Sequence, residues 1–241
     1  MKYKYNVLII VLLLVHGAFA QAKDDACNYL DSVKSELKKT WPDNKTVNLV
    51  FHGHSVPSGY FKTPKVHTLE SYPYKILKEV KQIYTHAVVN SITTSIGGEH
   101  SEQGEKRFKE DVLAHRPDVL FIDYALNDRN IGLERAKIAW EKMIVQAKEY
   151  GTKVILMTPT PDLNEDIKSI DTKLYKHTQQ IRELGQKHEV GLVDSYGLFR
   201  ELANTKNLKD YMAQGNHINE KGHEIVAKAI RDFFIEDFQS K

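Results

Sequence analysis

Residues 47–55 have the sequence VNLVFHGHS, an apolar run that ends in a turn containing glycine, histidine and serine. A short apolar run bounded by turn residues is consistent with a strand that is buried on both faces. In open α/β sheets, ligands bind in the crevice beyond the carboxyl ends of such strands. Ser55 is therefore a candidate nucleophile, although serine at such a position is also a common helix N-cap.

Further apolar segments follow, and helical patterns separate them. Strands are predicted at residues 46–52, 87–90, 117–123, 153–157 and 190–193. Helical spacing predicts helices at 26–41, 69–83, 105–114, 132–150, 171–188 and 220–238. Continuous apolar strands that alternate with helices indicate a parallel sheet covered on both faces. We predict a three-layer α/β/α fold with a five-stranded parallel sheet, since a (β/α)₈ barrel needs more strands.

The first 20 residues have the features of a secretory signal peptide. Lys2 and Lys4 precede an unbroken apolar stretch at residues 7–15, and residues 18–20 (AFA) have the small-x-small pattern of a cleavage site. The apolar stretch is short for a membrane span. We expect cleavage near Ala20, a single domain at residues 21–241, and a secreted or periplasmic protein without stable membrane insertion.

Charge and cysteine content narrow the function classes. The chain has 34 Lys+Arg and 32 Asp+Glu, and loss of Lys2 and Lys4 with the signal leaves 32 of each. A near-zero balance without basic clusters argues against nucleic acid as a partner. Cys27 is the only cysteine, which excludes an intramolecular disulfide, so a hydrophobic core must stabilise the domain. The sequence does not specify an oligomeric state.

Polar clusters lie after several predicted strands, and a doubly wound sheet would bring them to one edge. They are GHS at 53–55, GGEHSEQG at 97–104, ALNDR at 125–129 and GNHINEKGH at 215–223. Serine, histidine, asparagine and glycine main chain are the groups that acyl transfer uses. They supply a nucleophile, a base, and donors to an oxyanion.

In this order the clusters resemble the blocks of the SGNH hydrolases, the GDSL-type esterases, over nearly all of residues 46–235. The resemblance implies a flavodoxin-like fold and a carboxylic ester hydrolase. It implies that Ser55 is the nucleophile and His217 the base. It further implies an oxyanion hole formed by the N–H groups of Ser55 and Gly98 and by the Asn127 amide.

Two positions depart from the family pattern. His54 replaces the aspartate of the usual Gly-Asp-Ser, and Gln214 occupies the place of the acid, three residues before His217. A glutamine carbonyl can accept from an imidazole N–H, but it lacks the charge that stabilises imidazolium. A Ser–His dyad oriented by Gln214 or by a backbone carbonyl is favoured over a triad completed by Asp210 or Asp194.

The loop after the first strand holds the candidate substrate-binding residues His54, Tyr60 and Phe61, of which the two aromatic residues could equally belong to the core. The pattern His52-x-His54, together with His217 or His223, raises the question of zinc. Zinc sites often combine two or three histidines with a carboxylate, and no carboxylate follows at a recognisable spacing. We expect no metal and no cofactor.

These residues favour a serine esterase that removes small acyl groups, acetyl above all, from carbohydrates, by analogy with carbohydrate esterases of the family. Two alternatives stay open. One is a lipolytic esterase or lysophospholipase. The other is a catalytically silent glycan-binding module of the same fold, for which Gln214 is the argument. The expected partner is a small-molecule or glycan ester.

Overall fold

The computed structural model describes residues 28–235. The predicted signal peptide, Cys27 and the end of the predicted C-terminal helix beyond residue 235 lie outside the described residues. Five parallel strands form the sheet in the order β2-β1-β3-β4-β5. They are β1 (Thr46–Gly53), β2 (Val88–Thr93), β3 (Val119–Asp123), β4 (Lys153–Met157) and β5 (Gly191–Val193). The predicted five-stranded parallel sheet is confirmed.

Helices connect and cover the strands. They are α1 (Asp31–Leu37), α2 (Tyr72–Ile83), α3 (Ser101–Lys106), α4 (Phe108–Asp111), α5 (Ala125–Asp128), α6 (Leu133–Glu149), α7 (Lys173–His188), α8 (Ser195–Leu202) and α9 (Glu220–Arg231). Short 3₁₀ helices occupy Thr68–Glu70, Leu113–His115 and Leu208–Tyr211. An antiparallel ribbon of β6 (Met212–Gln214) and β7 (His217–Ile218) precedes α9. Within residues 28–235, no helix combines the length and the apolar character needed to cross a membrane.

Alternate residues of the central strands enter two separate cores, which explains why these strands are apolar throughout. Leu49 and Phe51 of β1 pack with α1, α2, α8 and α9 on one face, whereas Val50 packs with α4, α6 and α7 on the other. Phe51 stacks on Phe121 of β3, with ring centroids 4.4 Å apart. Burial on both faces fixes the register of β1, because a slip by one residue would exchange the two cores.

Several element boundaries differ from the sequence predictions. Parallel pairing with β1 carries β2 on to Thr93, although the apolar pattern ends near residue 90. The helix predicted at 105–114 is divided into α3, α4 and a 3₁₀ turn, with Arg107 at φ −106° and ψ 7° between the first two. Helix α2 begins at Tyr72, since Pro73 in its first turn favours a helix start there.

The strand order places the functional clusters together. The chain passes from β1 to β2 on one side and then to β3 on the other, so the connections leave β1 in opposite directions. A crevice opens at such a switch point, beyond the carboxyl ends of the strands. The segments that follow β1, β2 and β3 therefore meet at this edge, and they carry Ser55, Gly98 and Asn127.

Candidate active site

Ser55 lies in a tight turn after β1 and does not cap a helix. Residues 55–59 form turns, and no helix of the described chain begins at Ser55. The Ser58 hydroxyl lies 2.9 Å from the main-chain oxygen of His54 and 3.0 Å from that of Ser95, so it ties the turn to the loop after β2. Ser55 itself is buried in this turn, and only 6% of the residue is exposed.

His217 contacts Ser55 directly. Its Nε2 atom lies 2.9 Å from Ser55 Oγ, and its Nδ1 atom lies 2.9 Å from the main-chain oxygen of Phe61. A carbonyl oxygen can only accept, so Nδ1 carries the proton and donates it. Nε2 is then the unprotonated nitrogen and can accept from the Ser55 hydroxyl. The main chain of Phe61 therefore fixes the tautomer that a general base needs.

The surroundings of His217 favour its neutral form. Burial lowers the pKa of the His217 ring, and the hydrogen bond to the Phe61 carbonyl raises it by less. The net effect is a pKa below the ordinary value of about 6.5. A neutral imidazole is thus available as a base at neutral pH and somewhat below.

The three side chains predicted to orient His217 lie elsewhere. Gln214 Oε1 accepts from the Thr63 N–H at 3.0 Å, and its amide donates to Asn216 at 3.2 Å. Asp194 caps α8 and pairs with Arg182 at 2.6 Å. Asp210 is exposed in a 3₁₀ helix. Of the open alternatives, the backbone carbonyl is the group that contacts Nδ1.

Gly98 and Asn127 lie on segments that follow β2 and β3 and that contact each other. Gly98 has φ +81°, a conformation that favours glycine, and a Cβ atom there would meet nothing within 4 Å. Asn127, in α5 directly after β3, donates from Nδ2 to the main-chain oxygen of Glu99 at 2.9 Å. This bond fastens the Asn127 amide to the loop that carries Gly98 and leaves its second N–H free of that contact.

The two aromatic candidates of the first loop differ in placement. The Tyr60 ring is partly exposed and lies 6.0 Å from the His217 ring, and a Cβ atom on Gly97 would meet it at 3.2 Å. Phe61 is buried between two histidine rings, His67 and His223, at centroid distances of 4.4 and 5.2 Å. Tyr60 therefore belongs to the open side of the site, whereas the Phe61 ring belongs to the core.

His54 is fully buried under the turn that it shares with Ser55. Its Nδ1 atom accepts from the Val56 N–H at 3.2 Å, and its Nε2 atom lies 3.3 Å from Asp123 Oδ1. This places His54 away from the open side on which Tyr60 lies.

His52, the other histidine of the HxH pattern, is held by protein groups. Its two ring nitrogens lie 2.9 Å from Thr94 Oγ1 and 3.2 Å from the main-chain oxygen of Gly104. Burial lowers its pKa to about 3, so the ring is neutral. Among the described residues, no group of three or more His, Cys, Asp and Glu side chains could hold a metal ion.

A profile of the GDSL-like Lipase/Acylhydrolase family matches residues 51–225, which include Ser55, Gly98, Asn127 and His217. The chain belongs to this family. Membership confirms the predicted resemblance and the predicted enzyme class, a carboxylic ester hydrolase.

Two curated proteins resemble this chain at low sequence identity. The "Uncharacterized lipoprotein YqeF" of Bacillus subtilis (strain 168) is 26% identical over 174 residues, which cover 58% of this chain and 72% of the relative. An "Acetylxylan esterase" of Geobacillus stearothermophilus is 19% identical over 162 residues, which cover 62% of this chain and 74% of the relative.

Solved structures show the same fold. Axe2, an acetylxylan esterase from Geobacillus stearothermophilus, matches with a TM-score of 0.69 and 20% identity over 81% of this chain and 97% of its own. Variants described as catalytic mutants of Axe2 replace a serine, an aspartate and a histidine. A two-domain esterase active on acetylated mannans matches with a TM-score of 0.71 and 20% identity over 89% of this chain and 56% of its own.

Proposed function

We propose that this family member is an exported serine esterase that removes acetyl and other small acyl groups from carbohydrates. The supporting observation is the chain of contacts from Ser55 Oγ through His217 to the Phe61 carbonyl, each 2.9 Å long. Nucleophilic acyl transfer requires a hydroxyl next to a neutral imidazole, and a third group that holds the imidazole in the tautomer that accepts the hydroxyl proton.

The reaction proceeds in two halves. Ser55 Oγ attacks the ester carbonyl carbon while His217 Nε2 takes the hydroxyl proton. The N–H groups of Ser55 and Gly98 and the amide of Asn127 donate to the oxyanion. As the tetrahedral intermediate collapses, Nε2–H protonates the leaving alcohol. His217 Nε2 then takes a proton from water as the water oxygen attacks the acyl-enzyme carbonyl. When the second intermediate collapses, Nε2–H returns this proton to Ser55 Oγ, and the carboxylic acid and free Ser55 are released.

The Phe61 carbonyl does part of what a triad carboxylate does. It fixes the ring and the tautomer, and its dipole favours the imidazolium that forms during attack, but it supplies no full charge. The loop that carries it is itself held, because the Phe61 N–H donates to Lys65 O at 3.1 Å and Thr63 N–H donates to Gln214. Gln214, in the place of the family acid, therefore supports His217 indirectly.

The carbohydrate substrate class rests on the relatives and on Tyr60. Two of the proteins to which this chain is similar act, by their names, on acetylated xylan and acetylated mannans. The partly exposed Tyr60 ring beside His217 offers a face on which a sugar could stack. A small acyl group on a polar alcohol fits such a site.

Chain-length preference tests the substrate class. We expect kcat/KM to be highest for acetyl esters in an acetyl-to-decanoyl series, and acetate to be released from acetylated xylo- or manno-oligosaccharides. Ser55→Ala is the control and should abolish both activities. A preference for long chains would point to the lipolytic alternative, and unchanged behaviour of Ser55→Ala would point to a silent binding module.

Export is a separate part of the proposal. Residues 1–20 carry the signal-peptide pattern, and one relative is described as a lipoprotein. We expect the exported protein to begin near Gln21 as one domain at residues 21–241. N-terminal sequencing of protein from a secreting host checks this, and a retained residue 1 in that fraction would contradict it.

A further inference from the structure

A second histidine lies against the nucleophile. Ser55 Oγ is 2.9 Å from His217 Nε2 and 3.5 Å from His54 Nδ1. His54 is wholly buried, as is Tyr72 beneath it, and Asp123 is 3% exposed. These three polar side chains, His54, Asp123 and Tyr72, form a cluster under the Ser55 turn that the proposed mechanism does not use.

The contacts of His54 determine its tautomer. Val56 N–H donates to Nδ1 at 3.2 Å, so Nδ1 must be unprotonated. The ring proton is then on Nε2, which lies 3.3 Å from Asp123 Oδ1. This approach lacks hydrogen-bond geometry, and neither of the two atoms has a hydrogen-bond partner among the described residues, so the attraction between them is electrostatic. In the other tautomer, two donors would face each other at Val56 and two acceptors would face each other at Asp123. Both ends of the ring therefore select the same form.

Asp123 is fixed in this position by the sheet. It is the last residue of β3 and pairs in register with Gly53 of β1. A Cβ atom at position 53 would overlap the Asp123 carbonyl, so glycine allows the two strands to meet here. Tyr72 O–H donates to Asp123 Oδ2 at 2.9 Å. A buried carboxylate needs such donors, because without them its desolvation is costly.

We propose that His54 is a positioning residue for Ser55 and that Asp123 holds His54 in the form that does this. The inference rests on the proposed role of Ser55. With Nδ1 engaged by the Val56 N–H, His54 anchors the turn just after the nucleophile and competes weakly for the Ser55 hydroxyl. The hydroxyl proton is then directed to His217. In the other tautomer, Nδ1–H would donate to Ser55 Oγ and would disturb both the turn and the dyad.

A matched pair of substitutions isolates the Val56 contact. His54→Asn and His54→Leu both remove the N–H that faces Asp123, but only asparagine offers an oxygen to the Val56 N–H. We expect kcat of His54→Leu to be about tenfold or more below that of His54→Asn, because a buried donor is left unpaired. KM should be unchanged in both, since His54 lies away from the open side of the site.

Asp123→Asn tests the contact between Asp123 and His54 Nε2, and it leaves His54 itself unchanged. The carboxamide can present its NH₂ group to Nε2 and so favour the wrong tautomer, and we expect kcat to fall about tenfold or more at constant KM. Thermal unfolding is recorded for every variant. His177→Asn, a substitution of a buried histidine in α7 with no contact to Ser55, is the control and should alter stability without altering kcat.

The outcomes separate this inference from the proposed function. If a fluorophosphonate labels Ser55 in the wild type and kcat is equal in His54→Asn and His54→Leu, the positioning role is wrong. Unchanged kcat in Asp123→Asn would also overturn it, and this variant carries the test alone if His54→Leu does not fold. Failure to label the wild type would instead contradict the role of Ser55 as nucleophile.

Discussion

The turn that carries Ser55 and the segment that carries His217 are held by different kinds of group. Buried side chains support the Ser55 turn, and one of them is the carboxylate of Asp123. Main-chain groups support His217, through the Phe61 carbonyl and the β6–β7 ribbon. The proposed base therefore has a neutral partner, whereas the nearby carboxylate lies under the turn of the proposed nucleophile. The Ser55–His217 contact is thus formed without a carboxylate at His217 Nδ1.

The two regions meet at Ser55 Oγ and His217 Nε2, and loss of either atom should lower turnover most. We expect Ser55→Ala and His217→Ala each to lower turnover by about 10⁴-fold or more, because the two groups act as a unit. Acetate release under saturating substrate measures this. The double variant should be no worse than either single variant, and independent, multiplying losses would argue against a dyad.

Substitution of Asn127, the proposed side-chain donor to the oxyanion, should have the next largest effect on turnover. Removal of one such donor lowers turnover by about a hundred- to a thousandfold, so we expect this for Asn127→Ala at little cost in KM. Asn130→Ala, an exposed asparagine in the same segment, is the control and should leave turnover unchanged. A loss below tenfold in Asn127→Ala would remove Asn127 from the oxyanion hole.

Loss of the hydrogen bond between Thr63 N–H and Gln214, which holds the Phe61 loop, should lower turnover by less. Gln214→Ala leaves the Thr63 N–H without its acceptor, and we expect turnover to fall about fivefold, consistent with the loss of one partly exposed hydrogen bond. Gln214→Glu keeps an acceptor oxygen and should lose less. Single-turnover acylation rates compare the two variants.

Asp210→Asn should leave turnover within about twofold of wild type. Asp194→Asn keeps a helix-cap oxygen but removes the charge that pairs with Arg182, so it should lower the free energy of unfolding by about 1 kcal/mol or less and leave turnover unchanged. Collapse of activity in either variant would show that a displaced carboxylate completes a triad.

The pH dependence distinguishes a neutral partner from a carboxylate at His217. The base must be unprotonated, so kcat/KM rises with pH through the pKa of His217 and levels off above it. Burial lowers that pKa, so the acid limb should bend below the ordinary value of about 6.5. A bend clearly above that value would indicate an ionised carboxylate beside the ring.

The sequence predicts the sheet well because its central strands are buried on both faces. Leu49, Val50 and Phe51 must all be apolar, and this leaves a clear pattern. The ribbon β6–β7 is not predicted from the sequence, since its strands have only three and two residues and lack such a pattern. The end of β2 is not predicted either, because pairing with β1, and not an apolar pattern in β2 itself, extends the strand to Thr93.

The candidate site is predictable only where residue type carries the chemistry. Ser55 and His217 stand out as side chains at expected places, and the structure brings them to 2.9 Å. The Phe61 carbonyl does not stand out, because every residue has a main-chain oxygen and this one reaches His217 through the path of the loop. His54 stands out in the sequence because it replaces the usual aspartate of the Gly-Asp-Ser block. Its neighbour Asp123 is identified only from the register of β1 and β3.

Covalent labelling of Ser55 tests the Ser–His dyad most directly. A fluorophosphonate should form one adduct on the peptide that contains Ser55 in the wild-type protein, and none there in Ser55→Ala. His217→Ala should label at least about a hundredfold more slowly, since general-base catalysis contributes roughly 10²–10⁴-fold. Absence of the adduct from the wild type, or equal labelling rates in wild type and His217→Ala, would contradict the dyad.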